Sequence, residues 1–455
     1  MGDPAVSGHF LNELLTTLTR RYAGLGRTLS RRQSLGAGAV LEQCDQLLAN
    51  EGEVSNLAHA RNALLDYQQL DHDGKRAFFQ GLAERYAPDP EAITTAYEAF
   101  AANPGSATAQ ALSRAARSPR QELLRRLNAP PGHTFGLVRM RADLQAFLRD
   151  APELEAVDAD FMDLFRSWFN RGFLVMQRID WHTPAMLLEK IIAYEAVHAI
   201  RSWEDLRQRV QPATRRCFGF FHPATGDEPL IFVQVALTRG LPDRVQPILE
   251  GTDGDPAEAE AADTATFFSI SNCQTGLRGI SFGNFLIKQV VEELRRELPG
   301  LKHFVTLSPM PGFADWLRQL PAAALEPLAP ETRHALEALR QAGTAHPPDD
   351  AAVLRSALMP LAAHYLVNEK NASGQPLNPV SRFHLGNGAE VHRINWLADT
   401  SDNGLRQSHG LMVNYLYRLE DIERNHEAFA TTGKMACSRE VQKLIRQSRP
   451  VTPAY

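Results

Sequence analysis

Apolar residues recur every three to four positions through the first third of the chain, as in FLNELLTTLTRRYAGL (10–25) and KRAFFQGLAERYA (75–87). That spacing places them on one face of a helix and predicts amphipathic helices. Breakers at Pro88-Asp89-Pro90, Asn103-Pro104-Gly105 and Pro130-Pro131-Gly132 separate the helices. The acidic run PELEAVDADF (152–161) suggests a boundary near residue 155, giving an N-terminal helical domain (1–155) and a second domain (156–455). Thr183-Pro184 predicts a helix start, with Thr as N-cap and Pro at the first helical position, running to about His198. Thereafter the period changes. RCFGFFH (216–222) and LIFVQVAL (230–237) are rich in aromatic and β-branched residues and are joined by the turn PATGDEP, which predicts an antiparallel hairpin. The Ala-rich acidic stretch EGTDGDPAEAEAADTA (250–265) reads as an exposed loop, and FFSISN (267–272) as a strand.

The segment LRGISFGNFLIKQVVEELRREL (277–298) predicts a turn and then a helix, with Phe282, Phe285, Leu286, Val290 and Leu294 on one face. HFVTL (303–307) is a further strand, ending at Ser308-Pro309. Residues 314–370 read as a helical insertion. The sheet is expected to resume over SRFHLGNGAEVHRINWL (381–397), where Asn387-Gly388 is a hairpin-turn signal and His384 and His392, both even, face one side. A helix is expected around Leu411–Leu419. The fold class is α+β: an N-terminal all-α helical bundle followed by a mixed α/β domain with a helical insertion.

Composition narrows the function classes. At 44% hydrophobic and 22% charged residues, the 455-residue chain can bury sizeable cores without staples. A net charge of -5 argues against a nucleic-acid binder. The four cysteines, Cys44, Cys217, Cys273 and Cys437, form no CxxC pair, which argues against a zinc ribbon, a redox dithiol or a disulfide framework. They read as reduced thiols in the cytoplasm, with a link between subunits as the alternative. No apolar run is long enough to span a membrane. MGDPAVSGHFLNELL lacks a signal-peptide core, and the basic stretch Arg20–Arg32 reads as an amphipathic helix rather than a transit peptide.

The chemistry concentrates at the strand-to-helix junction Arg278-Gly279-Ile280-Ser281-Phe282-Gly283-Asn284. Glycines allow close backbone approach, the free N–H groups of a first helical turn suit a pyrophosphate, and Arg278 adds a charged donor. Taken alone, a glycine pair there also suits a tight turn before a surface helix. The run is similar to the GNAT acetyl-CoA-binding signature, departing from it at Ser281, which stands at a glycine position. In GNAT folds the next strand splays from its neighbour and the pantetheine arm lies in the gap; here that strand is HFVTL, leading to Ser308.

A wider resemblance covers most of the chain. RGFLVMQRIDWHTP, EAVHAI, FFHPATGDEPLIFVQVALT, FFSISNCQTGLRGISFGNFLIKQVVEEL, LSPMPGF, SRFHLGNGAEVHRINWLADTS and HGLMVNYLY stand in the order found in malonyl-CoA decarboxylases. The resemblance implies malonyl-CoA as substrate, Ser308 and His384 as the catalytic pair, residues 278–284 as the malonyl-CoA-binding loop, and a homo-oligomer, a tetramer built from dimers. Loss of CO2 leaves charge on the α-carbon that the thioester takes up as an enolate, so neither metal nor biotin is required. A histidine suits delivery of the one proton the carbon needs.

The histidines His182, His198, His222, His392 and His409 compete with His384, with His409 the second choice. Asn414, Tyr415 and Tyr417 are weaker candidates, expected on a helix, where core packing is the commoner role. Ser308 lacks a G-x-S-x-G elbow and is followed by proline, which has no N–H for an oxyanion hole, so a serine hydrolase ranks low. A GNAT acyltransferase, a non-catalytic acyl-CoA sensor and a decarboxylase of a malonyl carrier protein are the alternatives.

Overall fold

Apolar residues at helical spacing form the core of the N-terminal region. In the computed structural model, which describes residues 36–448 apart from 51, 252–253, 281–284, 327–328 and 343–350, Val40, Leu41, Cys44 and Leu47 line one face of the helix Ala37–Ala49. Phe78, Phe79 and Leu82 line one face of His72–Arg85, as the pattern of 75–87 predicts. The helix expected over 10–25 lies outside the described residues. Three of these helices begin on a short polar side chain that meets an orphan N–H: Asp71 for His72–Arg85, Asp89 for Pro90–Ala102 and Ser118 for Pro119–Leu127. Contacts divide the chain into two compact units. The first comprises Met1–Val175, Phe221–Pro229 and Gln274–Ser281, and the second the remainder.

The second unit is built on one mixed sheet. Its strands are β1 (Val175–Ile179), β2 (Arg215–Phe221), β3 (Pro229–Thr238), β4 (Thr264–Asn272), β5 (His303–Thr306), β6 (Ser308–Pro309), β7 (Glu390–Asn395) and β8 (Met412–Leu416), in the order β1-β2-β3-β4-β5-β8-β6, with β7 also on β8. β3 and β4 are antiparallel, β4 and β5 parallel. A parallel pair needs a crossover, which the helix Phe285–Glu297 supplies with Leu286, Val290 and Leu294 buried. Among the described residues, the stretch read as a helical insertion holds the helices Phe313–Gln319, Ala322–Leu325, Pro330–Ala342 and Ala351–Val367.

Several expectations are corrected. SRFHLG is a helix, Pro379–Gly386, so His384 does not share a sheet face with His392 on β7. Asn387-Gly388 ends that helix instead of turning a hairpin: Asn387 N–H bonds to Phe383 O and Gly388 sits at φ +82°. The left-handed region that suits a hairpin turn equally suits a helix C-terminus, so the dipeptide alone does not decide. Leu411–Leu419 contains strand β8, all five residues of which are buried. A strand covered on both faces loses its alternation and resembles a buried helix. The helix after Thr183-Pro184 spans Ala185–Tyr194, ending before His198, and Thr183 Oγ1 accepts from Asp180 N–H rather than capping it. The acidic loop contains a short helix, Pro256–Glu260, capped by Asp255.

Candidate active site

β5 and β6 run almost end to end, and β8 pairs with both: Val305 with Leu416, and Ser308 with Val413. Strand alternation puts Thr306 and Ser308 on one face and Tyr415 and Tyr417 on one face. The helix Pro379–Gly386 starts on Asn378, whose Oδ1 accepts from Ser381 N–H and whose Nδ2 donates to Pro311 O at 2.9 Å. That second bond ties the helix to the loop after Ser308. Ser381 and His384, three residues apart on one helix face, reach Tyr415 on β8 and Tyr417 just past it.

The result is a buried chain of hydrogen bonds. Ser308 Oγ donates to Thr306 Oγ1 at 2.8 Å, His384 Nε2 lies 3.1 Å from Ser308 Oγ, and His384 Nδ1 lies 2.8 Å from the Tyr417 hydroxyl. Ser308 has one proton. With that proton directed to Thr306, Ser308 receives Nε2–H, and the bare Nδ1 accepts from Tyr417. The imidazole stacks on Tyr415 with centroids 4.6 Å apart, and Tyr415's hydroxyl pairs with Ser381 Oγ at 2.7 Å. Thr306 is held in turn: its Oγ1 accepts from Tyr415 N–H and its carbonyl from Asn414 Nδ2.

Among the described residues no carboxylate partners His384. Ser308 is 6% and His384 3% exposed, and burial pushes the imidazole down to about 3. Burial also pushes the Tyr417 phenol well above its ordinary value, keeping it a donor. His198 and His409 are pushed down to about 4, by burial first in each case. These folded values lie below the ordinary 6.5, so protons bind the unfolded chain more readily. The stability involved is complete above pH 6.5 and is lost as pH falls towards 3–4. At pH 5 each such imidazole costs about 2 kcal/mol. A melting series from pH 7.5 to 5 is therefore expected to show a steep fall in Tm, before carboxylates titrate; a flat series would refute neutral burial.

The other sequence-derived candidates are scattered. In the first unit Arg278 is exposed, Gly279 adopts φ +84° and Ile280 is buried; Ser281, Phe282, Gly283 and Asn284 lie outside the described residues. A group that motif reading missed holds this segment: Arg141, 2% exposed, donates through Nη1 to the carbonyls of Gly276 (2.7 Å) and Arg278 (2.9 Å) and pairs with Asp158. His182 is exposed, His222 Nδ1 accepts from Ala224 N–H, and His392 pairs with Glu390 at 2.9 Å. His409 ends the helix Asp402–Ser408 at φ +51°. Thr306 also escaped notice, although its place two residues before Ser308 on a strand is a legible signal. Among the described residues no group of three or more His, Cys, Asp or Glu side chains is placed to hold a metal, and no helix is long and apolar enough to cross a membrane.

β4 and β5 pair only from Thr264 to Phe267, with a last bond from Leu307 N–H to Phe267 O. Beyond it no further pair joins them among the described residues, and β6 leaves towards β8. A helical N-terminal region followed in sequence by a domain built on one mixed sheet makes the chain an α+β protein.

Comparison with known proteins narrows this. The malonyl-CoA decarboxylase C-terminal domain matches residues 172–453, and the N-terminal domain of the same family matches 86–169. The chain belongs to the malonyl-CoA decarboxylase family and is with it a carboxy-lyase. The crystal structure of malonyl-CoA decarboxylase from Rhodopseudomonas palustris is 51% identical, with a TM-score of 0.85, over 90% of this chain and 99% of that one. The one from Agrobacterium vitis is 51% identical at a TM-score of 0.82, over 89% and 99%. The mitochondrial malonyl-CoA decarboxylase of Rattus norvegicus is 38% identical over 337 residues, 68% of each chain. That of Anser anser anser is 39% identical over 338 residues, 68% of this chain and 66% of its own length.

Proposed function

We propose that the chain converts malonyl-CoA to acetyl-CoA and CO2 at Ser308 and His384, through an enolate protonated from the imidazole, without metal or biotin. The observation that carries this is the 3.1 Å contact between Ser308 Oγ and His384 Nε2 in buried surroundings, with no carboxylate partner for the imidazole among the described residues. A neutral imidazole is a poor acid, but the substrate brings a carboxylate. One unit of negative charge about 4 Å away is worth about 4 kcal/mol at an effective dielectric near 20, which lifts His384 from about 3 to about 6. The imidazolium then holds the malonyl carboxylate, directly or through Ser308. When CO2 leaves as a neutral molecule, that carboxylate charge vanishes and the enolate takes the proton. His384 returns to its neutral state, and solvent supplies the proton that the reaction consumes.

The test is proton uptake on binding. In Ser308→Ala, calorimetry at pH 6 in buffers of different ionisation enthalpy should show about half a proton more taken up with malonyl-CoA than with acetyl-CoA. Additional replacement of His384 by Ala should remove the difference. No difference at pH 6 in Ser308→Ala would sink the mechanism.

We extend the proposal to residues 278–284 as the loop that takes the CoA phosphates. The support is the exposed Arg278 guanidinium and the positive φ of Gly279. Arg278→Ala is expected to raise KM for malonyl-CoA about tenfold with kcat held within about twofold, the mark of lost uniform binding. An unchanged KM moves the phosphate contact elsewhere. The same reading takes the enzyme as a cytoplasmic homotetramer assembled through its N-terminal helices. Supporting it, Pro90–Ala102 and Ser106–Ala115 bury none of their own side chains, and Tyr97 is 59% exposed.

A further inference from the structure

The segment EAVHAI (195–200) supplies a carboxylate and an imidazole that the reaction above does not use. Glu195 follows the helix Ala185–Tyr194, and its carboxylate accepts from Val197 and His198 N–H at 2.7 and 3.0 Å. It also accepts from Gln234 Nε2 on β3 at 2.5 Å, and from Ser269 Oγ at 2.8 Å and Ser271 Oγ at 3.2 Å on β4. Ala196 N–H bonds to Ser271 Oγ in turn. These serines and Gln234 are almost completely buried, and a buried hydroxyl or amide left unpaired is costly. The carboxylate is therefore committed to this one place on the sheet.

That place is a β-bulge. Gln234 faces Ser269 and Val235 faces Phe267, so Phe268 has no partner on β3. His198, 7% exposed, hydrogen-bonds the backbone of Phe268. Its Nε2 has no partner, so Nδ1–H makes that bond. Arg209 covers the Phe268 ring, its guanidinium 6.0 Å from the centroid. Phe268 is the first residue of β4 past the last bond to β5, and Leu307, which makes that bond, immediately precedes Ser308. Phe268 and Leu307 also share one apolar cluster.

We infer that Glu195 and His198 are positioning residues for the acyl end of the substrate: they hold the bulge at Phe268 and so set the angle at which β4 leaves β5 beside Ser308. The inference rests on the proposed reaction at Ser308 and His384. A bulge re-aims a strand, and a displacement near 1 Å of a reacting group costs up to about a hundredfold in rate.

The experiment compares His198→Ala, His198→Asn and Glu195→Gln in the full-length enzyme. Asparagine places an N–H donor near the position of Nδ1. His198→Ala and Glu195→Gln are expected to lower kcat for malonyl-CoA ten- to a hundredfold, and His198→Asn to recover it to within about threefold of the unaltered enzyme. Binding of 3′,5′-ADP, which lacks the acyl arm, should stay unchanged in all three. Turnover within twofold in His198→Ala overturns the inference. So does an equal loss of turnover and 3′,5′-ADP binding, which marks general damage to the fold, and so does a His198→Asn variant no better than His198→Ala. If the unaltered enzyme does not bind 3′,5′-ADP, the nucleotide-loop reading fails by itself, and the contrast between Asn and Ala at 198 still decides the positioning role. If Ser308→Ala and His384→Ala retain full turnover, the reaction site itself is elsewhere.

Discussion

His384→Ala is expected to lower kcat for malonyl-CoA at least about a thousandfold while CoA still binds. The imidazole has three roles in the proposed cycle: it meets the substrate carboxylate, carries the proton and hands it to the enolate. Removal of a general acid alone costs about 10²–10⁴ in rate. Among the described residues no neighbour can substitute. Tyr417 is held protonated by burial, Ser308 and Thr306 are hydroxyls, and the cavity left by alanine would be lined by Tyr415, Tyr417 and Ser308. Ser308→Ala should cost less, about a hundredfold, because the imidazole stays within electrostatic reach of the substrate carboxylate and only the hydrogen bonds of the serine hydroxyl are lost. Steady-state kinetics with CO2 detection, beside a binding titration with CoA, checks both. Turnover within tenfold in His384→Ala would remove the imidazole from the chemistry.

The asymmetry between Ser308 and Thr306 shows what the sequence made legible. Ser308 is singled out by long matching segments in a fixed order. Thr306 needed only strand alternation, because residues two apart point the same way. His384 is singled out by resemblance too, but the pattern puts it on the wrong element: the Asn-Gly pair after it fits both a helix end and a hairpin, and the hydrogen bond from Asn387 N–H to Phe383 O decides. Tyr417, just past β8, reads as helical because β8 is buried on both faces and shows no period of two. The helix His72–Arg85 is legible because its apolar residues Phe78, Phe79 and Leu82 share one face and Asp71 caps its start. The EAVHAI clasp was visible as a motif, yet its purpose required the β3–β4 register, which no local pattern encodes.

Arg141 is the case where sequence is silent, and its replacement should have the largest effect on stability. Nothing in HTFGLVRMRADLQAF distinguishes it from Arg139, which precedes it by two residues. Yet Arg141 is buried with four hydrogen bonds: Nε and Nη2 to Asp158 at 2.7 and 3.1 Å, and Nη1 to the carbonyls of Gly276 and Arg278. Arg141→Ala leaves Asp158 without its counter-charge and two carbonyls without donors. Breaking one partner of a buried pair costs about 3–5 kcal/mol, so the denaturation midpoint should fall accordingly. Lysine cannot reproduce the fork that serves carboxylate and carbonyls together, and Arg141→Lys should recover less than half of the loss. A double replacement, Arg141→Met with Asp158→Leu, separates two roles. Removing both charges should restore most of the stability, because an apolar pair of similar volume is often no worse than the ion pair. It cannot restore the bonds to the Gly276 and Arg278 carbonyls, so KM for malonyl-CoA should stay raised as in Arg278→Ala. A double variant with normal KM would show that these bonds do not shape the loop for substrate, and a single Arg141→Ala variant of unaltered stability would show that the pair holds nothing.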